Sequence, residues 1–355
     1  EVDAGEYFDG TVQHGEAVRI MTGAAIPAGC NCCVRQENTD YGEDTVQIYK
    51  SMEQWEDYCF QGEDFKKGTV LLKKGTKLSF IEIGILASMG VAEVPVIRRA
   101  RVAVLTTGDE VMKPGEELKL GKIYDCNQSL LAARLMDFGA ELTRIDKIPD
   151  NPQDMAEAVR EAAEVSDLII TTGAVSVGKK DIMHEVVRIL GAQRIFWRLE
   201  MKPGMPTLFS FISLILSQKK NFRFFSCMTS GLEMKPGMPT LFSVYEGTPM
   251  LSLSGNPFGA AVSVDLLIRP MIQKLTQDDT LRPVRKKCTL TNDFGKSVGG
   301  RRYVRAVTDG ETVTIPTKIH SNGILSTMAG CNCLIEMQKG KTGSHAGEEA
   351  EVLLL

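Results

Sequence analysis

Between residues 97 and 278 the apolar positions alternate between two periods. Short runs dense in β-branched and apolar residues occupy 101–106, 141–148, 167–172, 194–199 and 250–253. Between them lie longer stretches with an apolar stripe at helical spacing. One is 128–138, where Leu130, Leu131, Leu135 and Phe138 share a face, and others are 153–165 (entered at Pro152), 181–190 and 257–275. This order predicts a parallel sheet with helices on both faces, a three-layer α/β/α domain. Residues 1–67 read differently, as short strands at 16–20, 33–37 and 45–49 between turns, an N-terminal β-domain. Ser79-Phe-Ile-Glu82 is a capping box that opens a helix within the connecting segment 68–96, with Gly90 as its stop. Residues 279–355 return to strands and glycine turns, predicting a small, barrel-like C-terminal β-domain.

Two of the buried runs end alike. The first stops at Thr106-Thr107-Gly108 and is followed by Asp109-Glu110. The second stops at Thr171-Thr172-Gly173 and leads through Ser176 and Gly178 to Asp181. A β-branched run that stops at a hydroxyl-rich glycine turn is what the carboxyl edge of a buried parallel sheet looks like, and open α/β sheets bind their ligands at that edge. The backbone N–H groups of Thr172, Gly173, Ser176 and Gly178 are candidates to cradle a phosphate, a tight structural turn being the alternative. Asp125-Cys-Asn127-Gln-Ser129 opens a helix at the same edge, where Asn127 and Ser129 serve either as caps or as ligand contacts. Asp181 has the same two readings.

Composition narrows the class. The 355 residues suffice for two or three domains, and the formal charge of −4 leaves no basic footprint for nucleic acid. No stretch approaches the roughly 20 apolar residues that span a bilayer, and residues 1–20 have no signal-peptide pattern. The nine cysteines lack the pairing of a zinc site or a disulfide scaffold and read as reduced thiols, which points to the cytoplasm. The four histidines are scattered. One irregularity interrupts the order: residues 199–210 recur letter for letter as 232–243, 33 positions further on. Two identical copies are not a solenoid, which needs at least three divergent ones. The intervening segment therefore reads as an insertion within 211–243 with no function of its own.

In order and spacing, these segments resemble the molybdopterin molybdenumtransferase family, which includes the E domain of gephyrin. The matching runs are Gly15-Glu-Ala-Val-Arg-Ile-Met-Thr22-Gly-Ala24, Gly62-Glu-Asp64, Thr106 to Glu110, Asp125 to Ser129, Thr171 to Gly178 with Asp181, Met-Lys-Pro-Gly, and Ser254-Gly255-Asn256-Pro257. The resemblance implies an enzyme that inserts molybdate into adenylylated molybdopterin, hydrolyses the adenylate and releases AMP. It further implies Mg²⁺, a cytosolic homodimer, and possible exchange with molybdopterin adenylyltransferase. Carried over motif by motif, it assigns catalysis to Glu110, Asp181 and Lys202 or Lys235, and the metal to Asp64, Asp109, Glu110 and Asp181. Substrate binding falls to Thr22, Thr107, Gly108, Asn127, Ser129, Thr172, Gly173, Ser176, Gly178, Gly255, Asn256 and Pro257.

Three departures stand out. The family's N-terminal segment with its Met-Asp-Gly-Tyr motif is not in this sequence, so the chain is expected to be N-terminally incomplete. Lys-Pro-Gly-Lys reads Lys-Pro-Gly-Met in both copies, removing one cation, and Pro-Gly-Asn-Pro reads Ser-Gly-Asn-Pro. The other readings are a non-catalytic molybdopterin-binding or scaffold protein, and an inactive fragment.

Overall fold

The computed structural model describes residues 1–175, 182–197, 234–235, 240–295, 301–317, 319–338, 340 and 342–355, with 196, 197, 234 and 235 described in backbone alone. The chain divides into two compact units, residues 1–76 and 77–355. In the first unit the strands expected at 16–20 and 45–49 reduce to isolated bridges, and the one expected at 33–37 forms no bridge. Ile20 pairs with Val2, Ala28 with Thr11 and Ile48 with Thr39, while 36–38 form a 3₁₀ turn. Short extended runs need an apolar face to bury before they zip into a sheet. Here Val2 and Pro27 are the only buried residues among the described residues of the unit.

The second unit opens with α1, Phe80–Ser88, which has the expected capping box. The Ser79 hydroxyl accepts from the Ile81 N–H at 3.2 Å, and the Ser79 N–H donates to Glu82 Oε2 at 2.8 Å. Then come β1 (Arg101–Thr107), β2 (Val111–Met112), β3 (Ile123–Tyr124), α2 (Asn127–Asp137), β4 (Glu141–Ile148), α3 (Pro152–Val165) and β5 (Leu168–Thr172). After them lie α4 (Met183–Leu190), β6 (Gln193–Trp197), β7 (Met234–Lys235), β8 (Leu241–Tyr245) and β9 (Thr248–Leu253). The expected long helix from 257 is α5 (Pro257–Ser263), a π-helical turn (Val264–Ile268) and α6 (Arg269–Thr276) in succession.

The central sheet has the order β4-β1-β5-β9-β8-β6. Strands β4, β1, β5 and β9 are parallel, as the alternation requires. The expectation of an all-parallel sheet is corrected at β8, which runs antiparallel to both β9 and β6. Both faces are covered. Val102, Val104, Leu168 and Ile170 pack with α2, α5 and α6, whereas Ala103, Leu105 and Ile169 pack with α3 and α4. Burial on both faces is why β1 and β5 are continuous apolar runs rather than alternating ones.

The C-terminal strands β10 (Arg285–Leu290), β11 (Arg301–Thr308), β12 (Thr312–Thr314), β13 (Cys333–Met337) and β14 (Glu349–Leu354) close a five-stranded barrel. Its order is β12-β10-β14-β13-β11, returning to β12. Barrel residues Tyr303, Leu334 and Leu353 join the core shared with α2, α5 and α6, which fixes the barrel against the α/β layers.

Candidate active site at the carboxyl edge of the sheet

Strands β1, β5 and β9 are adjacent and parallel, so their three terminal turns arrive at the same edge. They touch there. Gly173, in a left-handed conformation with φ 98°, approaches β1 so closely that an added Cβ would stand 2.2 Å from the Thr107 carbonyl oxygen. A Cβ on Gly255 would meet the Gly173 backbone at 3.6 Å. Hydrogen bonds join the same turns. Gly173 N–H donates to Leu253 O at 3.3 Å, and Thr172 Oγ1 donates to Ser254 O at 3.1 Å. Asn127, at the start of α2, binds both turns: its Nδ2 donates to Thr172 Oγ1 at 3.1 Å and to Gly255 O at 2.8 Å.

These bonds revise part of the cradle expected from sequence. The Gly173 N–H and the Thr172 hydroxyl proton are spent between turns, so both residues hold the turns together rather than offering donors to an anion. Acceptors remain. Asn127 Oδ1, Asp125 Oδ2 and Thr106 Oγ1 are buried without a hydrogen-bond partner among the described residues. The other Asp125 oxygen accepts from the Gln128 N–H at 3.0 Å and so caps α2.

The first turn is braced by a residue that the sequence reading missed. Thr107 Oγ1 donates to Asp150 Oδ1, and the Asp109 N–H donates to Asp150 Oδ2 at 3.0 Å. Asp150 follows β4, and the β1–β4 register sets Ile148 opposite Thr107. A carboxylate two residues past a strand end beside the first glycine turn was the available signal, but it requires knowing that β4 neighbours β1. Lys122 Nζ donates to Asp109 O at 2.7 Å and the Ile123 N–H donates to Glu110 O at 2.8 Å, so both carboxylate-bearing residues have fixed backbones. The Glu110 side chain is exposed and lies over Gly108, where an added Cβ would be 3.0 Å from Oε2.

The barrel also reaches this edge. Asn256 precedes α5, and the Phe258 N–H donates to Asn322 O at 3.1 Å. Buried Arg305 of β11 stacks 3.8 Å over the Phe258 ring. Its guanidinium donates to Ser321 O at 2.7 Å, to Ile324 O and to Thr327 Oγ1, which ties the 321–327 loop to the start of α5. Burial lowers the Arg305 pKa, with nearby Arg302 adding to the effect.

Of the residues proposed from sequence, Thr107, Gly108, Asn127, Thr172, Gly173 and Gly255 are thus brought together, with Asp109, Glu110, Asn256 and Pro257 beside them. Ser129 is exposed in the first turn of α2. Thr22 and Asp64 are exposed residues of the 1–76 unit. Ser176, Gly178, Asp181 and Lys202 lie outside the described residues, as does the Lys235 side chain. Among the described residues no three histidine, cysteine or carboxylate side chains converge on a metal position. Glu110 and Asp109 still suit Mg²⁺, which takes one or two carboxylates, substrate phosphate oxygens and several waters.

Comparison with known proteins agrees with this architecture along the chain. Residues 2–90 match the model of the MoeA N-terminal region (domain I and II), and residues 287–355 that of the MoeA C-terminal region (domain IV). Residues 103–274 match a domain described as a probable molybdopterin binding domain. A molybdopterin molybdenumtransferase of Staphylococcus epidermidis is 31% identical over 99% of this chain and 77% of its own length. One from Staphylococcus aureus is also 31% identical over the same shares. In fold, the chain is similar to the molybdopterin biosynthesis MoeA protein of Pyrococcus horikoshii, with TM-score 0.74, 24% identity and coverage of 99% of this chain and 79% of that one. Three family regions in the right order, relatives matched over 77% of their length, and three touching glycine turns leave one assignment: this chain belongs to the molybdopterin molybdenumtransferase family, which serves molybdenum cofactor biosynthesis.

Proposed function

We propose that the chain carries out the reaction its relatives are named for, in the form that the motifs imply. Molybdate is inserted into the dithiolene of adenylylated molybdopterin, and water cleaves the phosphoanhydride to release AMP. The observation that carries this reading is the contact of the β1, β5 and β9 turns, with exposed Glu110 beside them and buried acceptors on Asn127 and Asp125 behind. In this reading Asp109 and Glu110 hold Mg²⁺, which when bound supplies positive charge to the phosphate oxygens of the leaving AMP. Asp150 holds the Thr107–Asp109 turn in place through two hydrogen bonds, and Asn127 fixes the distance between the second and third turns. Asp181, Ser176 and Gly178 extend the same loop in the sequence, and a lysine of the Lys-Pro-Gly segment supplies the cation.

The protein works as a homodimer in the cytosol and takes its substrate from molybdopterin adenylyltransferase. Helix α1, none of whose residues is buried and whose Phe80, Ile81 and Ile83 are exposed, supports an apolar contact of that kind.

The test is AMP release from adenylylated molybdopterin with Mg²⁺ and molybdate, comparing the chain with its Glu110→Gln variant. The variant keeps the side-chain shape and removes one negative charge. Its release should fall about ten- to a thousandfold, at roughly 1.4 kcal/mol per tenfold, with the unfolding transition unchanged. Binding of adenylylated molybdopterin without any AMP release would replace this reading with that of a scaffold protein.

A further inference from the structure

We infer that the second copy of the repeated twelve residues, 232–243, is the working copy, built into both the sheet and the barrel edge, and that the first, 199–210, is surplus. The central sheet has a single position between β9 and β6, and β8 fills it with Leu241, Phe242 and Ser243, the last three residues of the second copy. All three are buried; Leu241 lies in the core on the α3–α4 face and Phe242 in the core on the other. Side chains alone do not explain the choice. The first copy ends in the same Leu-Phe-Ser and continues Phe211-Ile212 where the second continues Val244-Tyr245, so its alternation would suit the position equally well.

The connection decides it. Tyr245 pairs with Thr248 across Glu246 and Gly247, whose φ angles are 48° and 81°. A two-residue link with both central residues at positive φ is the hairpin geometry that matches the twist of the flanking strands and fixes their register. A strand made from 208–212 could join β9 only across the 35 residues 213–247, with a larger loop-closure entropy and no turn to set its register.

A second observation is independent of that hairpin. Upstream in the same copy, Met234–Lys235 forms β7 and lies in parallel register with Arg301 and Arg302 of the barrel. The second copy is therefore anchored at two places, and Lys235 is carried on an edge strand directly before Pro236-Gly237. If the proposed function holds, on which this last step rests, Lys235 is the lysine that the site uses.

Deletion cannot separate the copies, because removing 199–231 or 211–243 leaves the same sequence. Point variants of the full chain can. Phe242→Asp should lower the thermal unfolding midpoint by about 5 °C or more, whereas Phe209→Asp should leave it within about 1 °C. If Phe209→Asp is the damaging variant, or Phe242→Asp is tolerated until Phe209→Asp is added, the assignment to the second copy is overturned. This arm needs no turnover, so it decides the threading even if the proposed reaction fails. For the lysine, Lys235→Ala should lower AMP release tenfold or more with the midpoint unchanged. If Lys235→Ala keeps full release and adding Lys202→Ala abolishes it, the first copy serves the site and that half of the inference is overturned. If the double variant also keeps full release, neither lysine is used. The lysine role in the proposed function then falls with it, while the phenylalanine result still stands on its own.

Discussion

Gly173 shows how much of the site depends on single atoms. Its left-handed backbone and the 2.2 Å that would separate an added Cβ from Thr107 O leave no room for any other residue. The obstructing atom is backbone oxygen at the end of a buried strand and cannot swing aside. Gly173→Ala should therefore push the β1 and β5 turns apart, costing about 1–3 kcal/mol of stability. AMP release should fall at least tenfold more than the stability loss explains at a temperature where the variant remains folded. Chemical denaturation and the release assay on one preparation check both parts, and full release from a stable Gly173→Ala protein would remove the turn contact from the mechanism. The glycine itself was legible in the sequence, because a Thr-Thr-Gly ending on an apolar run has few other uses. Its task was not. The sequence suggested a donor for an anion, and only the neighbour β9 shows that Leu253 O takes that N–H. Asp150 and Arg305 were illegible for a related reason. Each acts on a turn distant in sequence, and nothing local marks an aspartate after a strand or a barrel arginine as a brace.

Helices and strands were legible where local chemistry and burial agree. Helices α2 and α3, strands β1, β4 and β5, and the capping box of α1 all follow from short-range pattern, and their observed bounds shift by a residue or two at most. Asn151 illustrates the local part. Its side chain accepts from the N–H groups of Gln153 at 2.8 Å and Asp154 at 3.1 Å, with Pro152 as the first helical residue of α3. Removing that cap with Asn151→Ala should cost about 1 kcal/mol. In urea this should appear as a lower midpoint with an unchanged slope, since the surface exposed on unfolding is the same. An unchanged midpoint would mean that packing of Met155, Val159 and Ala162 holds α3 regardless of its end. Two elements escaped the pattern for opposite reasons. The strands expected in residues 1–67 had alternation but no core to bury. Strand β8 had a core, but its antiparallel direction depends on the two-residue turn at Glu246-Gly247, which lies just beyond a repeated segment that obscures the order of the chain.

At the scale of the whole molecule, the barrel and its junction with the α/β layers bury two groups, Cys333 and Tyr303, that hold their protons well above neutrality. Tyr303 on β11 lies in the shared core, where burial, reinforced by the Glu336 carboxylate, raises its phenol from 10.0 to about 12. Cys333, on β13 inside the barrel, is raised from 9.0 to about 12, chiefly by burial, with Cys288 and Cys331 adding to the effect. In both cases the folded protein keeps a proton that the unfolded chain gives up. Between the unfolded and folded pKa values the native state binds more protons, so stability must fall as pH rises through that window. For Cys333 the window opens near 9, for Tyr303 near 10, and both extend to about 12. The thermal midpoint should therefore hold steady up to about pH 8 and decline progressively from pH 9 upward. Tyr303→Phe removes the phenol while keeping the ring in place, and Cys333→Ala removes the thiol. Either variant can lower the midpoint at neutral pH by loosening the packing, so the informative quantity is the slope above pH 9. That slope should be shallower in each single variant than in the parent, and shallowest in the pair. Slopes identical to the parent's would show that these two groups do not control the alkaline limit, and that the barrel is not what gives way first. A native thiol this far above its ordinary value should also resist alkylation at pH 8 more than the exposed thiols of Cys59 and Cys126 do.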